Sequence, residues 1–402
     1  MMRVCLLLLA AAVTVKAFVP VAPAMGIRAL TSASRGTWIS SLSMSTAVEE
    51  ETETMAVGSK LSDQSLAKEA VKKFFDDIDP EAVTMVPTSG GVNNIVQYLT
   101  FPDGTKKLLR IYNNGFDSKI VNFEHEVLKV LYKEGHADTF DFKIPKYKEF
   151  KDTSKTFATL SNGAEACIVD FIEGELPKTS CAEDIGRASG MLVTAMGKCT
   201  DLIEAECNCD PYYEMWEMHP AVNKENFIET MKGSDFDGEI REPAELILDQ
   251  TIKITEKCEG EYKDLPSQLI HGDLHYDNVL VKDGKVSGLL DFEFALYDWR
   301  AMELATCLSK YAGEDNGMEL FEQFVKGYAT TAELTPLECK AIPDLINLRV
   351  LSNAVYFVGR ALGKEDNISS LTTRVANYAD RVKWIQDKEG QIVDICLKYF
   401  SK

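Results

Sequence analysis

The chain has 402 residues, 45% of them hydrophobic, which is enough to bury a large core and build two or three structural units. Its 63 acidic and 43 basic side chains leave a formal charge of −20. That balance argues against a nucleic-acid or anionic-membrane surface, because neutralising phosphates needs clustered Lys and Arg. It fits a solvated acidic surface, or a cationic or zwitterionic small substrate. The ten cysteines follow no regular spacing and read as reduced thiols.

Met1 to Ala17 has the parts of a signal peptide: Arg3, an apolar run from Cys5 to Val15, and a small-residue cleavage site at Val15-Lys16-Ala17. The run is too short to anchor stably across a bilayer, so no membrane insertion is expected once it is removed. Residues 18–46 contain Arg28, Arg35 and several Ser and Thr without an acidic residue, a transit-like composition. With Ala17-Phe18-Val19-Pro20 at the junction, the pair resembles the bipartite plastid-targeting leaders of algae with secondary plastids. Ordinary secretion is the alternative. Residues 47–60, acidic and Thr-rich, are expected to form a flexible linker.

Asp63 to Asp77 places Leu66, Val71, Phe74 and Phe75 near helical spacing. Ile95 to Phe101 and Lys107 to Tyr112 read as strands joined by Pro102-Asp103-Gly104-Thr105. Asn122 to Glu134 reads as a helix, and Phe157 to Leu160 and Ala166 to Ile172 as two more strands. From Ala182 onward the periodicity is mostly helical, interrupted by Val279 to Val281 and Val286 to Leu290 around an Asp283-Gly284 turn. Three long helices are predicted over about Met302–Tyr328, Leu337–Leu362 and Leu371–Tyr399. The expected class is α+β: a bilobal, protein-kinase-like fold with a small β-rich N-lobe (61–172) and a larger α-helical C-lobe (173–402).

The segment from Gln268 to Leu280, QLIHGDLHYDNVL, followed by Gly288-Leu289-Leu290-Asp291-Phe292-Glu293, carries the chemistry. Phosphoryl transfer needs positioning and charge neutralisation. A carboxylate beside the attacking hydroxyl takes its proton, and an amide oxygen with a second carboxylate holds Mg2+ against the phosphates of ATP. Asp273 suits the first role, Asn278 and Asp291 the second. His271 reads as a scaffold residue bonding nearby backbone rather than a proton shuttle. Taken singly, such residues make Asx turns or caps; at these spacings around a hairpin they specify a site.

At these residues the sequence resembles the superfamily of aminoglycoside phosphotransferases, choline/ethanolamine kinases and type II homoserine kinases, with H-G-D-x-x-x-x-N and then D-F-E. The likeness runs from Ala82 to Trp384. It implies a phosphate-covering loop at Thr88-Ser89-Gly90-Gly91-Val92-Asn93-Asn94, with Ser89, Gly90, Gly91 and Asn93 against the phosphates. It puts Arg110 where kinases place a phosphate-binding Lys, paired with Glu126 from the next helix, Glu124 being the competitor. It makes Asp170 to Gly174 a hinge whose Asp170 and Ile172 main chain meets adenine. Family members commonly carry an aspartate early in the helix after D-F-E, where this chain has Glu303.

The acceptor, a small molecule bearing a hydroxyl, stays open. Tyr297-Asp298-Trp299-Arg300 looks like the choline-kinase branch, whereas Gly327-Tyr328 and Leu334 to Glu338 resemble the homoserine-kinase branch. Glu293, Asp298, Trp299, Tyr311, Tyr356 and Arg360 are candidates to face it, with Glu293 also placed to bind a second metal. A cationic amine would favour carboxylates and aromatic faces; an amino-acid carboxylate would favour Arg360 or Arg349. A pseudokinase would have lost Asp273, Asn278 or Asp291, and a protein kinase would carry D-F-G and A-P-E.

Overall fold

A computed structural model describes residues 56–88, 94–112, 118–150, 153–207 and 209–401, with side chains from residue 64 onward. The leader 1–46 and the phosphate-loop residues Ser89, Gly90, Gly91 and Asn93 lie outside the described residues. Helix α1 (Ala56–Phe74) starts seven residues before Asp63, so the end of the predicted linker is helical.

The N-lobe is an antiparallel sheet in the order β1-β2-β3-β5-β4: β1 (Thr84–Pro87), β2 (Ile95–Thr100), β3 (Lys106–Ile111), β4 (Ala158–Thr159) and β5 (Glu165–Asp170). Period-two alternation on β3 sends Leu109 and Ile111 into a core with Ala70, Val71 and Phe74 of α1. Arg110, between them in sequence, faces the other side. The β2–β3 turn closes with Gly104 donating to Phe101 O (2.9 Å) and Thr105 to Asp103 Oδ1 (2.8 Å).

Helix α2 (Ser118–Lys133) starts four residues before Asn122 and buries Phe123, Val127, Leu128 and Leu131 in the C-lobe core. One backbone seam joins the lobes, and a second lies just past the boundary within the C-lobe. Lys143 exchanges hydrogen bonds with Ser287 and Leu289 (3.0 and 2.9 Å), and Glu175 with Val281 (2.9 and 2.8 Å).

The C-lobe contains α3 (Ala182–Lys198), α4 (Lys224–Lys232) and α5 (Arg241–Glu259), then the paired strands β6 (Ser267–Ile270) and β9 (Leu296–Trp299). Between those strands lies the hairpin of β7 (Val279–Lys282) and β8 (Lys285–Leu289). The predicted helix Met302–Tyr328 is two helices, α6 (Arg300–Ser309) and α7 (Gly317–Tyr328), separated by a turn in which Gly313 has φ +92°. A left-handed residue cannot continue a right-handed helix. The break leaves Lys310 buried at the end of α6.

Helix α8 (Pro336–Leu362) opens with a capping box: Thr335 accepts from Glu338 N, and Glu338 Oε2 accepts from Thr335 N at 2.8 Å. Glu338 also takes both arms of Arg300 at 2.7 Å, tying α6 to α8. Helix α9 (Ile368–Phe400) closes the chain. Among the described residues, no helix is long and apolar enough to cross a membrane.

Candidate active site

The catalytic loop hangs between β6 and the β7–β8 hairpin. Gly272 has φ +76°, and a Cβ there would stand 2.2 Å from Leu296 Cδ2 and 2.6 Å from Phe294 O. Only glycine fits this turn, which leads directly into Asp273. The register Val279↔Leu289 brings Asn278 beside Leu290, whose N–H donates to Asn278 O at 2.8 Å. Asn278 Nδ2 donates back to Asp273 O at 2.7 Å. His271 Nε2–H donates to Leu290 O (2.9 Å), leaving Nδ1 to accept from Asp273 N at 3.4 Å. The sequence-predicted residues Asp273, Asn278, Asp291 and His271 thus share one hydrogen-bonded loop pair.

Burial lowers the His271 imidazole to about 4, so near neutral pH it is an uncharged strut between the loops. Its ring packs 4.6 Å from that of Phe292. Asp291, one residue before Phe292, adopts φ +66°, uncommon for a residue other than glycine and a form of strain that gathers at functional sites.

Asp273 is almost fully buried. Burial alone would raise its carboxyl; His275, Arg349 and Lys310 instead bring it to about 2. Arg349 Nη2 lies 3.0 Å from Asp273 Oδ1, and His275 Nε2 3.5 Å from the same oxygen. Burial and Lys310 hold His275 below its usual value, and burial also lowers Lys310, so Arg349 is the partner of Asp273 that stays charged throughout. Lys310 Nζ in turn meets Asp277 Oδ2 at 3.1 Å. His275, Asp277 and Lys310 join the site beyond the residues the sequence predicts; the first two sit inside the motif, while Lys310 is placed by the α6–α7 break.

From the N-lobe sheet, Arg110 meets Glu124 Oε1 at 3.0 Å, Asp291 Oδ1 at 3.4 Å and Glu293 Oε2 in a short contact. The expected partner Glu126 is not the one. Two residues turn an α-helix by about 200°, so Glu124 and Glu126 face opposite sides of α2. Glu126 instead accepts the backbone N–H groups of Glu204 (2.7 Å) and Ala205 (2.9 Å).

Four residues expected at the acceptor are engaged elsewhere. Glu293 turns to Arg110, with Asn94 Nδ2 at 3.4 Å from the same oxygen. Asp298, fully buried, accepts from Tyr212 N (2.7 Å) and Trp299 N (2.6 Å), and burial pushes its carboxyl up to about 7. It anchors Tyr212, whose hydroxyl donates to Gly272 O at 2.9 Å, so its action on the loop is indirect. Trp299 stacks on Tyr213 and lines a separate cavity with Trp216 and Cys258. Arg360 forks onto Asp366 and touches Tyr356 Oη; eleven residues along α8, it lies roughly 16 Å from Arg349.

In the segment expected to form the hinge, the Asp170 N–H is taken by Lys146 O (3.0 Å). Ile172 is buried against Gly288, where an added Cβ would stand 2.6 Å from Ile172 Cγ2. Glu303, at the position where the resemblance places an aspartate, accepts from His271 N (2.6 Å) and Gly272 N (3.1 Å), holding the catalytic loop from beneath.

The residues fit a divalent metal. Asn278 Oδ1 is buried without a hydrogen-bond partner, and a buried polar atom in that state normally has one. With the Asp291 carboxylate it offers the hard oxygen set that such ions take.

A β-rich lobe over a helical lobe, with this loop pair between them, defines a kinase-like phosphotransferase. The profile of the phosphotransferase enzyme family matches residues 84–337, and the chain belongs to that family of small-molecule kinases. A homoserine kinase of Zymomonas mobilis is 28% identical over 298 residues, covering 73% of this chain and 85% of that protein. A homoserine kinase of Gluconobacter oxydans is 40% identical over 101 residues, 31% of its length. Of solved structures, a microcompartment-associated aminopropanol kinase aligns over 82% of this chain and 98% of its own (TM-score 0.61, 16% identity). A choline kinase of Cryptosporidium parvum aligns over 85% and 100% (TM-score 0.54, 13% identity). At those identities the structures carry the fold alone.

Proposed function

We propose that the chain transfers the γ-phosphoryl group of ATP, with Mg2+, to the hydroxyl of a small amino-acid alcohol, homoserine being the leading acceptor. The observation that carries the reaction type is that Asp273, Asn278 and Asp291 lie on one hydrogen-bonded loop pair, with Arg110 against Asp291. The acceptor leans on the homoserine kinase that matches along most of both chains. Choline or ethanolamine is the alternative.

In this reading Arg110, braced by Glu124, binds phosphate oxygens. Asn278 Oδ1 and Asp291 would hold the metal, which supplies charge neutralisation on the phosphates when bound. Asp273, ionised at all ordinary pH values, accepts a hydrogen bond from the acceptor hydroxyl. It takes the proton as the new P–O bond forms, the β–γ P–O bond breaks and ADP leaves. So weak a base receives the proton only once the oxygen has become acidic, which fits a loose transition state. The Asp170 and Ile172 main chain, and the loop bearing Ser89, Gly90, Gly91 and Asn93, would hold the nucleotide.

The test is ATP- and Mg2+-dependent phosphorylation across homoserine, choline, ethanolamine and related alcohols. Equal or greater turnover of choline would replace homoserine. The leader's composition supports plastid delivery; a fluorescent protein fused behind residues 1–46 that is secreted would overturn it.

A further inference from the structure

Arg349 lies mid-way along α8 and is 4% exposed, although no part of the loop motif announces it. Its guanidinium sits over the Tyr212 ring (5.2 Å to the centroid), and Nη1 donates to Asn353 Oδ1 at 2.7 Å, one helical turn away. Nη2 reaches Asp273 Oδ1 at 3.0 Å. Nε, on the same edge as Nη2, is buried and has no hydrogen-bond partner. A buried guanidinium N–H left unsatisfied carries a desolvation cost, so natural proteins rarely leave one idle. The Nε/Nη2 edge is the one that grips a carboxylate with two parallel bonds, as Arg300 grips Glu338 in this molecule at 2.7 Å twice.

That half-used edge borders the oxygen that must meet the acceptor hydroxyl. Lys310, also buried, adds positive charge on the same side of the loop. A cationic ammonium head group would meet the buried cations Arg349 and Lys310 here, whereas Glu293 and Asp298 are turned to partners of their own. An anionic group fits instead.

We propose that Arg349, fixed by Asn353 and Tyr212, seats a carboxylate of the acceptor and thereby selects amino-acid alcohols over amino alcohols that lack this group. The inference rests on the kinase reading above and names the part of the acceptor that the site recognises.

The full chain is assayed with ATP and Mg2+ on L-homoserine and on 3-aminopropan-1-ol, which is homoserine with hydrogen in place of the carboxylate. The wild type is expected to favour homoserine by at least 100-fold in kcat/KM. Arg349→Gln is expected to cut that ratio at least 30-fold, chiefly through the homoserine KM. The ratio is the readout, because losing a partner of Asp273 would depress both acceptors alike. Arg349→Lys, which keeps the charge but not the two-pronged edge, should fall between.

A measurement on the wild type alone avoids dependence on the variants' folding. L-2-aminobutyrate, lacking the hydroxyl, should inhibit competitively against homoserine, and n-propylamine at the same concentration should not. Equal use of both acceptors by the wild type, an unchanged ratio in Arg349→Gln, or equal inhibition by the two amines would overturn the carboxylate seat while leaving the kinase intact. Failure to phosphorylate any alcohol overturns the kinase reading and the seat with it.

Discussion

The guanidinium of Arg110 and the carboxylate of Glu124 meet at 3.0 Å between the N-lobe sheet and α2. Glu124 is buried and also accepts the hydroxyls of Tyr112 (3.3 Å) and Tyr147 (2.5 Å). A carboxylate held from three sides fixes the direction of the arginine it binds. The other arm of Arg110 therefore lies against Asp291 and Glu293, at the mouth where phosphates would enter.

Glu124→Gln keeps the size and one accepting oxygen but removes the charge. Arg110 should then be drawn towards Glu293 and Asp291. Loss of a charge-assisted hydrogen bond is worth about 1.5–3 kcal/mol, so kcat/KM for ATP should fall between about 10- and 150-fold. Glu126→Gln should change it less than about twofold, since that residue only ties the 204–205 backbone. Steady-state kinetics with ATP varied compares the two, and a larger loss in the Glu126 variant would return the pairing to Glu126.

Asp273→Asn should remove proton acceptance while retaining shape. The expected loss is roughly 3–5 kcal/mol of transition-state stabilisation, seen in kcat with the acceptor saturating. Nucleotide affinity, followed by calorimetry, should change little. The variant leaves Arg349 and Lys310 facing a neutral amide, so its thermal midpoint should also drop. Turnover near that of the wild type would take Asp273 out of the mechanism.

How much of this was readable depends on whether a role is local in sequence. Asp273, Asn278 and Asp291 sit in a loop–hairpin–loop whose spacing fixes their separation, so the chain order alone groups them. Strand alternation similarly gives Arg110 its direction. Arg349 and Lys310 come from helices in which every face carries plausible residues. Only the packing of α8 and the left-handed break at Gly313 decide which side chains reach the loop. Glu124 and Glu126 share a helix and a residue type, and periodicity separates their faces without saying which face meets Arg110. Asp298 and Trp299 follow the motif closely, yet the pairing of β6 with β9 turns them away to anchor Tyr212 and stack on Tyr213.

Asn278 has two atoms with different duties. Nδ2 holds the Asp273 backbone, and Oδ1 is the unpartnered oxygen offered to the metal. Asn278→Asp keeps an oxygen ligand and loses the donor; Asn278→Ala loses both. The metal concentration for half-maximal activity should rise at least tenfold in the alanine variant and much less in the aspartate variant. A titration of activity with Mg2+ reads the difference. Identical metal dependence in all three proteins would exclude Asn278 as a ligand.

Glu303 offers a test that needs no turnover. Its carboxylate is fully buried beneath the loop, and burial outweighs the Gly272 and His271 N–H bonds to push the carboxyl up to about 7. In the unfolded chain it titrates near 4.5. Between those values the folded protein holds a proton that the unfolded chain has released, so stability falls as pH rises. The contribution is fully present below about pH 4.5, declines through pH 5–7 and levels off above about 7; a gap of that size corresponds to about 3 kcal/mol. Glu303→Gln keeps an oxygen for the two N–H groups and cannot titrate. The wild type should therefore lose stability relative to this variant as pH goes from 5 to 8, measured by denaturant unfolding at each pH. Asp298, also raised to about 7, repels the Glu303 carboxylate, so the comparison is made with Asp298→Asn in both proteins. Parallel stability profiles would show that Glu303 is ionised in the fold throughout, and that its hold on the loop is that of a charged acceptor.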